Sequence, residues 1–251
     1  MRPAGHGTPY STTCEQHKQS YHYTIERSLF AAEQSRWPGS PVCNIQTISD
    51  EVAHTPLFIW DPRCRRAGER AAALVQTIDL APTLLDFFGA PIPPDMQGAP
   101  LRETVATDQP VREAGLFGIF GAHVNVTDGR YVYMRGPGNV AENKPLFEYT
   151  LMPTHMRCLF SPEELHEATL AEPLPFSKGA PVLKIPAQRP KNRDLVGQEL
   201  NTMLFDLQTD PQQEHPIDDP VIEARMIEHL VRLMRENDAP KEQFQRLGLP
   251  H

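Results

Sequence analysis

The sequence predicts an α/β fold, and three observations carry that prediction. Residues 54–89 read as a strand, a polar connection, a second strand and a capped helix. Residues 115–135 hold alternating runs on either side of Asp128-Gly129, a strong hairpin signal. Residues 220–237 form one amphipathic stripe behind a proline.

Residues 1–50 match none of these patterns. Met1 to Ser20 is polar and aperiodic, an unmatched stretch in which disorder is a reasonable expectation. Tyr21 to Gln34 predicts a short helix with Ile25, Leu29 and Phe30 on its apolar face, broken by Trp37-Pro38-Gly39. Leu57 to Trp60 is a short apolar run stopped by Asp61-Pro62, and is expected as a strand buried on both faces. Arg63 to Arg70 is charged and solvated, and Ala73 to Thr77 is the second expected strand. Asp79 then caps a helix with Pro82 in its first turn. Leu80, Leu84, Leu85 and Phe88 share one face of that helix, and Gly89 ends it.

Pro91, Pro93 and Pro94 exclude helix from the connection that follows. Gly115 to Phe120, His123 to Thr127 and Arg130 to Arg135 are expected strands, with Tyr131 and Tyr133 on one face and Val132 on the other. Residues 140–200 read as a proline-rich excursion with little period. Within it, Ser161-Pro162-Glu163-Glu164 predicts a capping box over a short helix at 161–168. Met203 to Leu207 is the last expected strand. Asp219 caps a final helix in which Ile222, Met226, Leu230 and Leu233 form the buried stripe. The expected organisation is therefore 1–50 unmatched, 51–113 the end of an α/β domain, and 114–251 a C-terminal subdomain.

Composition bounds the function. The formal charge of −8 argues against nucleic acid as a partner, because phosphate binding needs a basic face. No stretch approaches the ~18 apolar residues of a membrane span, and the first residues lack the apolar core of a signal peptide. Cys14, Cys43, Cys64 and Cys158 fall in no C-x-x-C spacing, which points to free thiols in a reducing, cytoplasmic setting rather than to a zinc site. Proline, at 26 residues, is about twice its usual share of ~5%, so much of the chain is loop.

Three segments resemble a known family. His54-Thr55-Pro56-Leu57 followed by Gln76-Thr77-Ile78-Asp79-Leu80-Ala81-Pro82-Thr83-Leu84-Leu85 is similar to the second half of a sulfatase, in the alkaline-phosphatase superfamily. Thr127-Asp128-Gly129-Arg130-Tyr131-Val132-Tyr133 resembles the family's late hairpin. Leu204-Phe205-Asp206-Leu207, followed by Asp210-Pro211, resembles its near-terminal strand. The resemblance spans residues 51–237 in the family's order. It implies a partial sulfatase-like sheet flanked by helices, plus a small C-terminal antiparallel sheet with a packed helix. It also implies sulfuric ester hydrolysis, a small-molecule sulfate ester as substrate, and calcium as the cation in the intact family.

The catalytic half of that pattern is missing from this chain. Hydrolysis of a sulfate ester needs a nucleophile, a cation for the sulfate oxygens and an acid for the leaving group. The family supplies its nucleophile from C-x-P-S-R or S-x-P-S-R, and neither occurs here. Its metal-binding pairs would fall before residue 51, where only Gly5-His6-Gly7 faintly resembles a metal motif and position 5 offers no ligand. No catalytic residue is carried over and no calcium is expected on this chain. His54 and His123 are the candidate substrate-facing residues, each weighed against a hydrogen-bonded structural role. His155 and His166 are expected to be solvated, Asp61, Asp79 and Asp128 to serve turns or caps, and Asp218-Asp219 to cap a helix. The expected function is a sulfatase-family protein, truncated and inactive alone. The alternatives are the phosphonate and phosphate monoester hydrolase branch of the superfamily, or a non-catalytic partner or pseudoenzyme subunit, a role that fits a homo-oligomer.

Overall fold

Two antiparallel sheets, one of them backed by a long helix, form the centre of the molecule. The computed structural model describes residues 53–152, 154, 159–187 and 200–251. The expected helix at 21–34 lies outside the described residues, as do Cys14, Cys43, His155 and Cys158.

The first sheet has four strands in the order β1-β2-β3-β7: β1 (Gly115–Gly118), β2 (Val124–Thr127), β3 (Tyr131–Arg135) and β7 (Met203–Asp206). Every pairing in it is antiparallel. The β2–β3 hairpin turns at Asp128-Gly129 as the sequence predicts, and Gly129 takes φ +90°, where a Cβ would be strained. Asp128 Oδ1 accepts from the N–H of Arg130 (3.0 Å) and of Tyr131 (2.7 Å), which fixes the turn. Strand alternation sorts the side chains. Val126, Tyr133 and Leu204 face one core, while Val132, Met134 and Phe205 face the other.

The first core is closed by the helix Pro220–Glu236, here α4. Asp219 Oδ1 accepts from Val221 N–H (3.0 Å) and Ile222 N–H (3.1 Å), and Pro220 follows where a missing N–H costs nothing. Met226, Leu230, Val231 and Met234 are buried, with Ile222 and Leu233 packed beside them. Each fully buried side chain of this kind contributes ~1.5–3 kcal/mol. A last helix, α5 (Lys241–Leu247), which the sequence reading did not predict, adds Phe244 and Leu247 to the same core.

Residues 140–187 hold more order than their composition suggests. The strands β4 (Phe147–Thr150), β5 (Thr169–Ala171) and β6 (Val182–Pro186) pair antiparallel in the order β4-β6-β5. The short helix α3 (Pro162–His166) has the predicted capping box. Ser161 Oγ accepts from Glu164 N–H (3.2 Å), and Glu164 Oε2 accepts from Ser161 N–H (2.7 Å).

Two expected strands are corrected. Residues 57–60 pair with no other strand among the described residues, and Leu57, Phe58 and Trp60 are exposed rather than buried. Residues 73–77 form no strand either; Gln76 leads into a 3-10 turn at Thr77–Asp79 and then into α1 (Leu80–Phe87). An apolar run becomes a strand only where neighbours take its backbone groups, and the described residues place none beside 57–60. Within α1, Leu80 and Leu85 are half-buried, but Leu84 and the following Phe88 project into solvent, so the predicted apolar face is only partly covered. Gly89 does end the helix at φ +66°. The proline-rich connection, from which helix was expected to be excluded, does hold one: α2 (Arg102–Thr107) starts beyond Pro91, Pro93 and Pro94, after Pro100.

Candidate functional site

A buried polar constellation lies where Gln76-Thr77-Ile78-Asp79 meets the start of the first sheet. Asp79 has no exposed surface. Its Oδ2 accepts from Gln76 N–H (2.8 Å), its Oδ1 accepts from Ala99 N–H (2.9 Å), and the same Oδ1 forms an ion pair with Arg112. Arg112 also donates to Gln76 Oε1 (2.6 Å), while Gln76 Nε2 donates to the Leu116 carbonyl of β1 (2.9 Å). Thr83 completes the node. Its hydroxyl donates to the Asp79 carbonyl (2.5 Å) and accepts from Leu101 N–H (3.0 Å). Gly98 permits the close passage of the chain, because a Cβ there would stand 2.0 Å from the Ile78 carbonyl oxygen.

The sequence reading treats Asp79 as a helix cap. It stands at the cap position of α1 but makes no side-chain cap bond there. Its carboxylate is spent on three partners that tie the segment 76–79, the connection at 99 and Arg112 together. A buried charge satisfied in this way is a structural joint. Arg112 is the residue that sequence reasoning missed. Its only signal is a lone cation two positions before buried Ala114, too common a pattern to single out.

A second ionic joint sits beside it. Asp61 receives Arg63 through Oδ1 and Oδ2, with contacts of 2.6–3.0 Å, and Arg63 also reaches Asp86 Oδ2 (2.8 Å) and the Asp86 carbonyl (3.1 Å). The Arg63 guanidinium lies 5.0 Å over the Phe87 ring. Hydrogen bonding from Arg63 outweighs burial and holds the Asp61 carboxyl below the usual range. Arg63 is thus half-buried and paired, where the sequence reading has it solvated.

The two candidate histidines are not alike. His54 is exposed, contrary to its expected place at the head of a buried strand. His123 is 2% exposed, and its Nε2 lies 2.8 Å from the Asn201 carbonyl oxygen. That bond requires the proton on Nε2 and ties the entry of β2 to the segment leading into β7. His166 is exposed, as expected.

Elsewhere the charged groups also pair. Asp206 accepts Arg130 (2.8 Å), and Asp128 accepts Arg225 (2.9 Å), and both guanidiniums lie over the Tyr131 ring, at 4.7 and 5.3 Å. Arg130 holds the Asp206 carboxyl below its ordinary value. Tyr133 is fully buried, donates to Glu223 Oε1 (3.0 Å) and accepts from Arg135 (3.1 Å); burial pushes its phenol upward. Among the described residues no group of three or more His, Cys, Asp or Glu is arranged to hold a metal ion. The calcium of the resembling family therefore finds no cage in them, and no chemical step is derived through it. No helix among the described residues is long and apolar enough to cross a membrane.

Comparison with known proteins bears on the first part of this framework. Residues 44–132 match the family model described as N-sulphoglucosamine sulphohydrolase, C-terminal. That range contains the Asp61, Asp79 and Arg112 joints and the first two strands. Residues 44–132 thus carry a C-terminal sulfatase-family portion. A curated N-acetylglucosamine-6-O-sulfatase of Bacteroides thetaiotaomicron is 37% identical over 86 residues, 34% of this chain and 14% of that protein. This sulfatase portion thus matches about a seventh of the relative's length. A solved structure described as a complex with its substrate D-glucosamine-2-N,6-O-disulfate overlaps 72% of this chain and 27% of its own, at 18% identity. Its TM-score is 0.40, too loose an overlap to fix the fold of the sulfatase portion.

Proposed function

We propose that this chain supplies the C-terminal framework of a sulfatase and does not by itself hydrolyse sulfate esters. The observation that carries the reading is in the sequence: neither C-x-P-S-R nor S-x-P-S-R occurs anywhere in the 251 residues. Without an activated nucleophile the first bond-making step has no agent. The buried carboxylates Asp61 and Asp79 are engaged by arginines and backbone N–H groups, as structural joints require. In this reading 51–113 is the end of an α/β domain and 114–251 a C-terminal subdomain. The names of the matching family and relative support a sulfated amino sugar as the substrate of the intact enzyme, and calcium is the cation that the family resemblance implies for it. His54, being exposed, stays the candidate for a substrate-facing role, while burial of His123 supports the structural one. Cytoplasmic residence, supported by the scattered cysteines, goes with the proposal and is tested by cell fractionation.

The test of activity is an assay of the purified chain with an aryl sulfate and calcium. The proposal expects no turnover above buffer; clear turnover overturns it. Running aryl phosphate and phosphonate esters in parallel separates the phosphomonoester branch, which turnover of those esters alone would favour.

A second reading has its own support. Leu57, Phe58, Trp60, Ile78, Leu84 and Phe88 are exposed, with Phe58 at 67% and Phe88 at 76%. Large apolar groups left exposed within one stretch of chain support a surface that meets other polypeptide. The chain then acts as a non-catalytic partner, in a homo-oligomer or beside another subunit. Sedimentation showing assembly supports this reading, and a clean monomer across concentration counts against it.

A further inference from the structure

We draw no further inference here: the strongest candidate, the exposed apolar face carried by Phe58 and Trp60 ahead of helix α1 and by Leu84 and Phe88 at that helix, carries nothing more because nothing in the structure shows what covers it.

Discussion

Replacing Asp79 by asparagine tests the buried joint with the smallest change of shape. The side chain keeps its volume but loses its charge, and one of its two oxygens becomes an amide that donates. Gln76 N–H, Ala99 N–H and Arg112 are all donors aimed at that carboxylate. One of them must therefore face another donor, and Arg112, at 15% side-chain exposure, loses its counter-charge. Hydrogen bonds to charged groups contribute ~1.5–3 kcal/mol, and breaking one side of a buried ion pair costs ~3–5 kcal/mol. We expect Asp79→Asn to lose about 3–5 kcal/mol, a large part of the ~5–15 kcal/mol typical of a domain. Urea unfolding followed by far-UV circular dichroism reads this as a midpoint lowered by roughly 1–5 M, for slopes of ~1–3 kcal/mol/M. Arg112→Gln and the double variant complete a cycle, with a coupling of ~1–3 kcal/mol expected for groups in one network. A loss below about 1 kcal/mol, or additive single effects, would refute the reasoning that this joint organises 76–112.

Three further outcomes follow from the same geometry. Arg246 is 1% exposed, donates to Gln243 Oε1 (3.1 Å), Asn143 Oδ1 (2.8 Å) and the Ala122 carbonyl (3.1 Å), and is pushed down to about 10 by burial. Arg246→Met strands these acceptors and should cost ~2–4 kcal/mol in calorimetric unfolding; an unchanged melting temperature would contradict this. Gly136→Ala places a Cβ 1.8 Å from the Leu200 carbonyl oxygen, so the chain must part between β3 and the approach to β7, lowering the urea midpoint by at least ~1–3 kcal/mol equivalent. For acid stability the sign is set by Asp61 and Asp206, both held below their ordinary values by Arg63 and Arg130 respectively. Their stabilisation is present above the unfolded carboxylate value of ~3.9 and is lost as pH falls through the lower folded values. Stability should decline toward acid below about pH 4, and Asp206→Asn should flatten that decline.

Much of the C-terminal fold was legible because local chemistry and tertiary packing agree there. Asp128-Gly129 can turn only one way between alternating runs, and Asp219-Pro220 sets a helix start that the stripe Met226, Leu230 then buries. The capping box at Ser161 needs nothing beyond four residues. The sheet β4-β6-β5 was not legible, because its strands are three to five residues long and its pairings skip over the helix at 162–166. The last helix, Lys241–Leu247, was missed because seven residues show too few turns of apolar period. Residues 57–60 misled in the opposite direction. Leu-Phe-Ile-Trp has the composition of a strand, but a strand is made by its neighbours, and composition does not name them. At the site, Asp79 was visible as a polar punctuation mark. Its real role depends on Ala99 and Arg112, 20 and 33 residues away, which no local pattern reaches.

Hydrogen exchange resolved by residue is the most direct test of the account, in which the sheet–helix core is well packed while Leu57, Phe58 and Trp60 before it are exposed. The account predicts strong protection across Val124–Thr127, Tyr131–Arg135, Met203–Asp206 and the middle of α4, with fast exchange through 57–60. Strong protection across 57–60, in a sample that sediments as a monomer, would contradict it, because the segment would then have found cover within the chain itself.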